Sequence, residues 1–141
     1  MTNVPFPQAN DLGKILILIC KFENYSTRDL LELLNLGSPR QLDYYFNAAI
    51  FLGLLKIKNN KKVHTNDSRI IVNELPNFRE KRFILFLLKN KLIKSIVFNY
   101  SDKNIIDILQ DYDSFKNLSE STKNRRINTI RKWVKWLNKN I

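Results

Sequence analysis

Three capped helical patterns in succession, then two short extended runs around Asn59-Asn60, then a looser repeat of the helical theme, predict a mainly α fold with a small β-hairpin wing. That order is the order of a winged helix-turn-helix. The 141 residues leave room for one compact domain or two of about 60–70 residues each. The expected architecture is two winged helix-turn-helix-like modules, over residues 8–75 and 77–141, the second lacking a complete wing.

From Asp11 to Lys21 the apolar residues Leu12, Ile15, Leu16, Ile19 and Cys20 recur at helical steps, and Glu23-Asn24-Tyr25 breaks the pattern. Ser26 and Thr27 offer a cap for a second helix with Leu30, Leu31, Leu33 and Leu34 as its buried stripe. Gly37 suits the end of that helix, where a left-handed residue has no Cβ to accommodate. Ser38 is the next N-cap, and Pro39 fits a first helical position, where no amide bond is lost. The third helix should run from Pro39 to about Leu52, with Leu42, Phe46, Ala49 and Ile50 inward, and Gly53 ends it. Leu54-Leu55-Lys56-Ile57-Lys58 and Lys61-Lys62-Val63-His64-Thr65 then flank an Asn-Asn turn, the signature of a hairpin. Asp67 is placed to cap a short helix through Ile71 and Val72, and Pro76 marks a boundary.

In the second half Phe83, Phe86 and Leu87 lie along one side of a helix from Phe78 to Leu88, and Leu92 to Phe98 continues an apolar segment. Asp102 is expected to cap a short helix containing Ile105, Ile106, Ile108 and Leu109, followed by a turn at Asp111-Tyr112-Asp113-Ser114. The longest helix should span Glu120 to Asn138. Its apolar stripe is Ile127, Ile130, Val134, Leu137 and Ile141, with basic, polar or Trp residues elsewhere.

The chain carries 24 Lys+Arg against 13 Asp+Glu, a net charge of +11. An excess of Lys, Asn and Ile suggests an AT-rich coding sequence, so part of this charge is compositional background. Placement says more than the total. No acid follows Glu120, whereas the last stretch holds Lys123, Arg125, Arg126, Arg131, Lys132, Lys135 and Lys139. A second cluster, Lys56, Lys58, Lys61, Lys62 and His64, falls on the hairpin. Clustered cations point to a polyanion partner.

Several classes are excluded. A single Cys20 makes no disulfide framework, and with one His64 it makes no Cys/His zinc site. No apolar run approaches the ~20 residues of a membrane span. The first ten residues lack a signal-peptide pattern, so a cytoplasmic protein without membrane partners is expected. No Asp or Glu is followed two positions on by Lys, as a restriction-type nuclease strand requires; no Gly-rich phosphate loop is present. No catalytic residue, metal or cofactor is expected within these residues.

The third helix opens Ser38-Pro39-Arg40-Gln41-Leu42-Asp43-Tyr44-Tyr45. In a helix-turn-helix the first turns of the second helix reach base edges, and Arg and Gln match guanine and adenine there. An ordinary exposed helix start accounts for the same residues. Tyr44 is the surface candidate and Tyr45 the core one. Lys58, Lys61 and Lys62 sit where a wing grips phosphates, although edge lysines also block aggregation. Ser121, Thr122, Lys123, Asn124, Arg125, Arg126, Asn128 and Thr129 crowd the start of the last helix, where hydroxyls hold phosphates and Arg and Asn read bases. Trp133 and Trp136 fit a core or a neighbouring domain.

The run from Arg40 to Ala49 with Leu52-Gly53-Leu54-Leu55 resembles the first of two winged-helix modules of type II restriction endonucleases and restriction-modification proteins. Leu118 to Thr122, Arg125-Arg126, Thr129 and Trp133-Val134-Lys135-Trp136 are similar to the recognition helix of the second. The resemblance implies recognition of double-stranded DNA, with cleavage by a nuclease domain or subunit elsewhere. The chain ends at Ile141, where the second wing is expected, so either that wing is absent or the protein continues. The alternatives are a winged-helix transcriptional regulator, dimerising on a palindromic site, and a protein-interaction module using Trp133, Trp136 and Tyr44 as its partner surface.

Overall fold

Asp11 starts the first helix. Its carboxylate accepts from the Lys14 amide at 3.3 Å. This α1 (Leu12–Lys21) turns Leu12, Ile15, Leu18 and Ile19 into the core. The structure, a computed structural model, describes residues 7–98 and 102–141. A second helix, α2 (Thr27–Leu33), is capped by Ser26 as expected. It ends two residues earlier than the glycine suggests. Asn35 takes the left-handed conformation at φ 53°, and the Leu36 amide donates back to the Leu31 carbonyl at 2.9 Å. Asn tolerates that conformation because its short polar side chain bonds locally, so Gly37 is not needed for it.

Gly37 serves the next helix instead. Ser38 caps α3 (Pro39–Phe51) by accepting from the Gln41 amide, and the Gln41 side chain reaches back to accept from the Gly37 amide at 2.7 Å. These reciprocal bonds close two open donors at the helix start. Leu42, Tyr45, Phe46, Ala48 and Ala49 are buried, and Gly53 at φ 83° turns the chain out.

The hairpin forms where expected. Strands β1 (Leu55–Lys58) and β2 (Lys61–His64) pair antiparallel from Leu55↔His64 to Lys58↔Lys61. Asn59 and Asn60 both have positive φ, 53° and 63°, as a two-residue turn matched to strand twist requires. The helix that follows, α4 (Asn66–Val72), is capped by Thr65 rather than Asp67. The Thr65 hydroxyl accepts from the Ser68 amide and donates to the Gly53 carbonyl at 2.7 Å, which ties the helix start to the end of α3. Asp67 lies in the first turn, where its charge still favours the helix dipole.

The second half contains α5 (Pro76–Lys89), α6 (Lys91–Phe98), α7 (Asp102–Leu109), α8 (Asp113–Lys116) and α9 (Glu120–Asn140). Helix α5 begins at Pro76, two residues before the expected start, because proline needs no amide partner at that position. A helical turn, α8, replaces the second half of the expected turn after Asp111, and it buries Phe115. The side chain of Asp102, the expected cap of α7, lies outside the described residues.

Buried side chains from both halves form one hydrophobic cluster, in which Trp133, Phe83 and Phe115 are the largest fully enclosed groups. Helix α1 packs against α3, α4 and α9, and α9 also packs against α6 and α8. Residues 9–11 form a strap between α3 and α9. Trp133 Nε1 donates to the Ala9 carbonyl at 2.7 Å, the Thr129 hydroxyl to Asn10 Oδ1 at 2.7 Å, and the Asp11 amide to the Tyr45 hydroxyl at 3.3 Å. Gly13 lets Trp136 come close: a Cβ there would stand 3.3 Å from the indole nitrogen.

Candidate nucleic-acid interface

The strap determines which residues of the two candidate reading helices meet. It binds Tyr45 of α3 on one side and Thr129 of α9 on the other, and the neighbouring Tyr44 phenol acts electrostatically on Arg126. Arg40, one turn before Tyr44, lays its guanidinium over the Tyr44 ring at 5.7 Å. Arg125 is exposed and donates to the Thr122 hydroxyl at 3.2 Å.

At the start of α9, Ser119 caps the helix by accepting from the Thr122 amide and donates to the Thr122 hydroxyl at 2.9 Å. Ser119 is absent from the residues expected at the site; its signal is a Ser three positions before Thr122, the spacing an N-cap needs. Ser121, Asn124, Arg125 and Asn128 are all exposed, and their spacing of three and four places them along one outward line, with Lys132 and Lys135 continuing it. Lys123 is half-buried with its ammonium 5.7 Å from the centre of the Phe115 ring.

Two expected site residues turn inward. Thr129 is buried, and its hydroxyl is committed to Asn10 and to the Arg125 carbonyl. Arg126 is 6 % exposed, and its Nε and Nη1 have no acceptor among the described residues. Burial, and then the positive charge of Arg125, pull Arg126 down from the ordinary guanidinium range, while Tyr44 acts in the opposite sense. The inward face of α9 is therefore wider than its apolar stripe, and Ile141 at its end is exposed.

On α3, Arg40 and Gln41 are exposed and Tyr44 half-buried, but the Gln41 amide oxygen is occupied at the cap, so only its NH₂ is available. Ser38 is likewise engaged as a cap acceptor. Tyr45 is core, and burial raises its phenol above the ordinary range.

The hairpin divides its basic residues in two. Lys58 and Lys61 flank the tip and are exposed. Lys62 points back over the Phe46 ring, 4.5 Å from its centre. His64 belongs to the interior. It is 6 % exposed, with Nε2 2.8 Å from Glu23, Nδ1 2.7 Å from the Ser68 hydroxyl, and Phe22 against the ring at 4.9 Å. Its work is to fasten the base of the hairpin to the end of α1 and to α4.

The expected aromatic partner surface does not form. Trp133 is fully buried, and Trp136 is half-buried against Phe83 and Gly13. Among the described residues, no cluster of His, Cys, Asp and Glu is arranged to hold a metal ion. No described helix is long and apolar enough to cross a membrane.

Fold and surface together define a mainly helical domain with one small hairpin and a line of exposed polar and basic residues along α9. Residues 15–141 match a domain of unknown function, DUF7226, and the chain belongs to that family. No curated protein and no solved structure matches the chain.

Proposed function

We propose that this chain binds double-stranded DNA and serves as the site-recognition part of a restriction endonuclease. One observation carries the reading: the outward line Ser121, Asn124, Arg125 and Asn128 on α9, continued by Lys132 and Lys135, faces solvent with no carboxylate paired to it among the described residues. These are the side chains that hydrogen-bond base edges and phosphates from within a major groove. In this reading α1 to α4 with the hairpin form a winged helix-turn-helix, α3 is its recognition helix, and Lys58 and Lys61 hold the backbone beside it. Helix α9 is the recognition helix of a second module. The restriction role rests on the sequence resemblance, and a transcriptional regulator would use the same surface.

Fluorescence anisotropy with labelled duplexes of random sequence tests the reading. The expected result is binding whose logarithmic affinity falls with log salt at a slope of about −5, as for roughly six neutralised phosphates. Affinity independent of salt between 50 and 200 mM would overturn it. A second reading, a protein-interaction module, is favoured by the exposed Ile70, Leu75, Phe78 and Leu85 on α4, α5 and the link between them. Sizing of the free protein together with absent duplex binding would select that reading.

A further inference from the structure

Arg126 is an anomaly that folding alone does not explain. A buried guanidinium is normally paired, because taking the charge out of water is expensive and leaving its N–H groups unbonded adds to the penalty. Here Nε and Nη1 are both enclosed and unbonded, and the groups that act on the charge are another cation, Arg125, and the Tyr44 phenol. The contacts between basic side chains and acids among the described residues lie elsewhere, at His64–Glu23, Arg82–Glu74 and Lys116–Asp113.

Its direction is informative. Helical side chains lean toward the N-terminus, so a long residue at position 126 covers the turn that contains Thr122. That turn already gathers polar groups: Ser119 caps it and donates to the Thr122 hydroxyl, Arg125 reaches to the same hydroxyl, and on α3 Arg40 lies over the Tyr44 ring. We infer that Arg126, Arg125, Arg40 and the first turn of α9 form a seat for one backbone phosphodiester of DNA, lodged between α3 and α9 with Arg126 as its buried anchor. The inference rests on the DNA-binding reading. Tyr44, half-buried, swings aside as a phosphate oxygen enters, and the exposed Arg125 closes on it from solvent. An oxygen of the monoanionic phosphodiester then supplies the acceptor that Nε and Nη1 lack in the free protein. A phosphate contact carries no sequence information, so the seat sets register for the base-reading line on α9.

The test uses the full chain, its Arg126→Met and Arg126→Lys variants, a random duplex and inorganic phosphate. Arg126→Met keeps the length and removes the charge. It is expected to melt no lower than the parent, to lose about tenfold or more in affinity equally for all duplexes, and to lower the salt slope by about 0.9. Folded Arg126→Met with unchanged affinity and slope overturns the seat while leaving DNA binding intact. A second readout does not depend on that variant folding. The Arg126 Nε–H resonance, assigned by its loss in Arg126→Lys, is expected to move downfield and exchange more slowly when duplex is added to the parent protein. An unmoved resonance at saturation overturns the seat. Should the parent bind no duplex, the DNA reading fails, and the same resonance followed with inorganic phosphate decides the seat alone: a shift keeps it as a phosphate site, and none removes it.

Discussion

The molecule treats its charges in two ways. Around the α4–α5 corner and the base of the hairpin, basic side chains meet acids within the fold: Arg82 meets Glu74 at 3.0 Å and the His64 ring meets Glu23 at 2.8 Å. On α9 the cations Lys123, Arg125, Lys132 and Lys135 have no acid partner among the described residues, and Arg126 is buried without one. The first arrangement is what stability selects. The second is unfavourable for an isolated protein, because like charges repel and a buried one is poorly solvated. A net charge of +11 therefore understates the asymmetry: acids meet basic groups at that corner and at the base of the hairpin, and Lys123, Arg125, Lys132 and Lys135 along α9 are left open.

The sharpest way to break this comparison is to ask whether the unpaired face belongs to the folded core or hangs from it. Trp133 is fully buried, and its indole N–H donates to Ala9. Trp133→Ala should therefore destabilise the protein by about 3–5 kcal/mol in a denaturant titration, from the cavity and the orphaned carbonyl together. A loss under about 1 kcal/mol would mean that α9 is an appended arm whose charges say nothing about the core.

Next in size is the contrast between α9 and the hairpin tip. Replacing Asn124, Arg125, Asn128 and Lys132 together by Ala should weaken duplex binding about 100-fold at 0.1 M salt and reduce discrimination between sequences. Lys58→Gln with Lys61→Gln should lower the salt slope by about 2 without altering sequence preference. All six positions are exposed, so each set should leave the melting temperature nearly unchanged. Equal losses of sequence preference from both sets would erase the distinction between a reading helix and a gripping hairpin. Lys62→Gln should behave differently again. It should cost about 0.5–1 kcal/mol of stability through the lost contact with the Phe46 ring, with a smaller effect on DNA than either tip lysine.

Much of the fold was legible in the sequence because its punctuation is local. Ser26, Ser38-Pro39 and Asn59-Asn60 mark a helix start, a helix start and a turn through chemistry that acts over three or four residues. Asp67 reads as the cap of α4 from local spacing, but Thr65 takes that place because its hydroxyl also bonds back to Gly53. The outward line of α9 was legible in composition but not in orientation. Arg126 and Thr129 look like surface residues until the strap is in place, and the acceptor for Thr129 lies at Asn10, 119 positions away. A stripe drawn from apolar residues alone misses buried polar positions, and those are where α9 is pinned. His64 was misassigned for the same reason, since Glu23 becomes its partner only through the tertiary fold.

The smallest expected effect bears on the paired side. Glu74 accepts from Arg82 at 3.0 Å and from the Leu75 amide at 3.1 Å, and these bonds, the arginine's first, hold its carboxyl below the usual carboxylate range. A carboxyl lowered in the folded state contributes stability that is present above its unfolded value and is lost as pH falls through the folded value. Carbon-detected NMR titration should accordingly find Glu74 protonating later than an ordinary glutamate as acid is added, and Arg82→Gln should return it toward the ordinary midpoint. The same variant should leave duplex affinity and salt slope where they were, because this cation is already spent on a carboxylate of its own chain. A fall in the slope on Arg82→Gln would mean that the DNA-facing surface extends across the α4–α5 corner, and that pairing within the chain does not mark the boundary between the two sides.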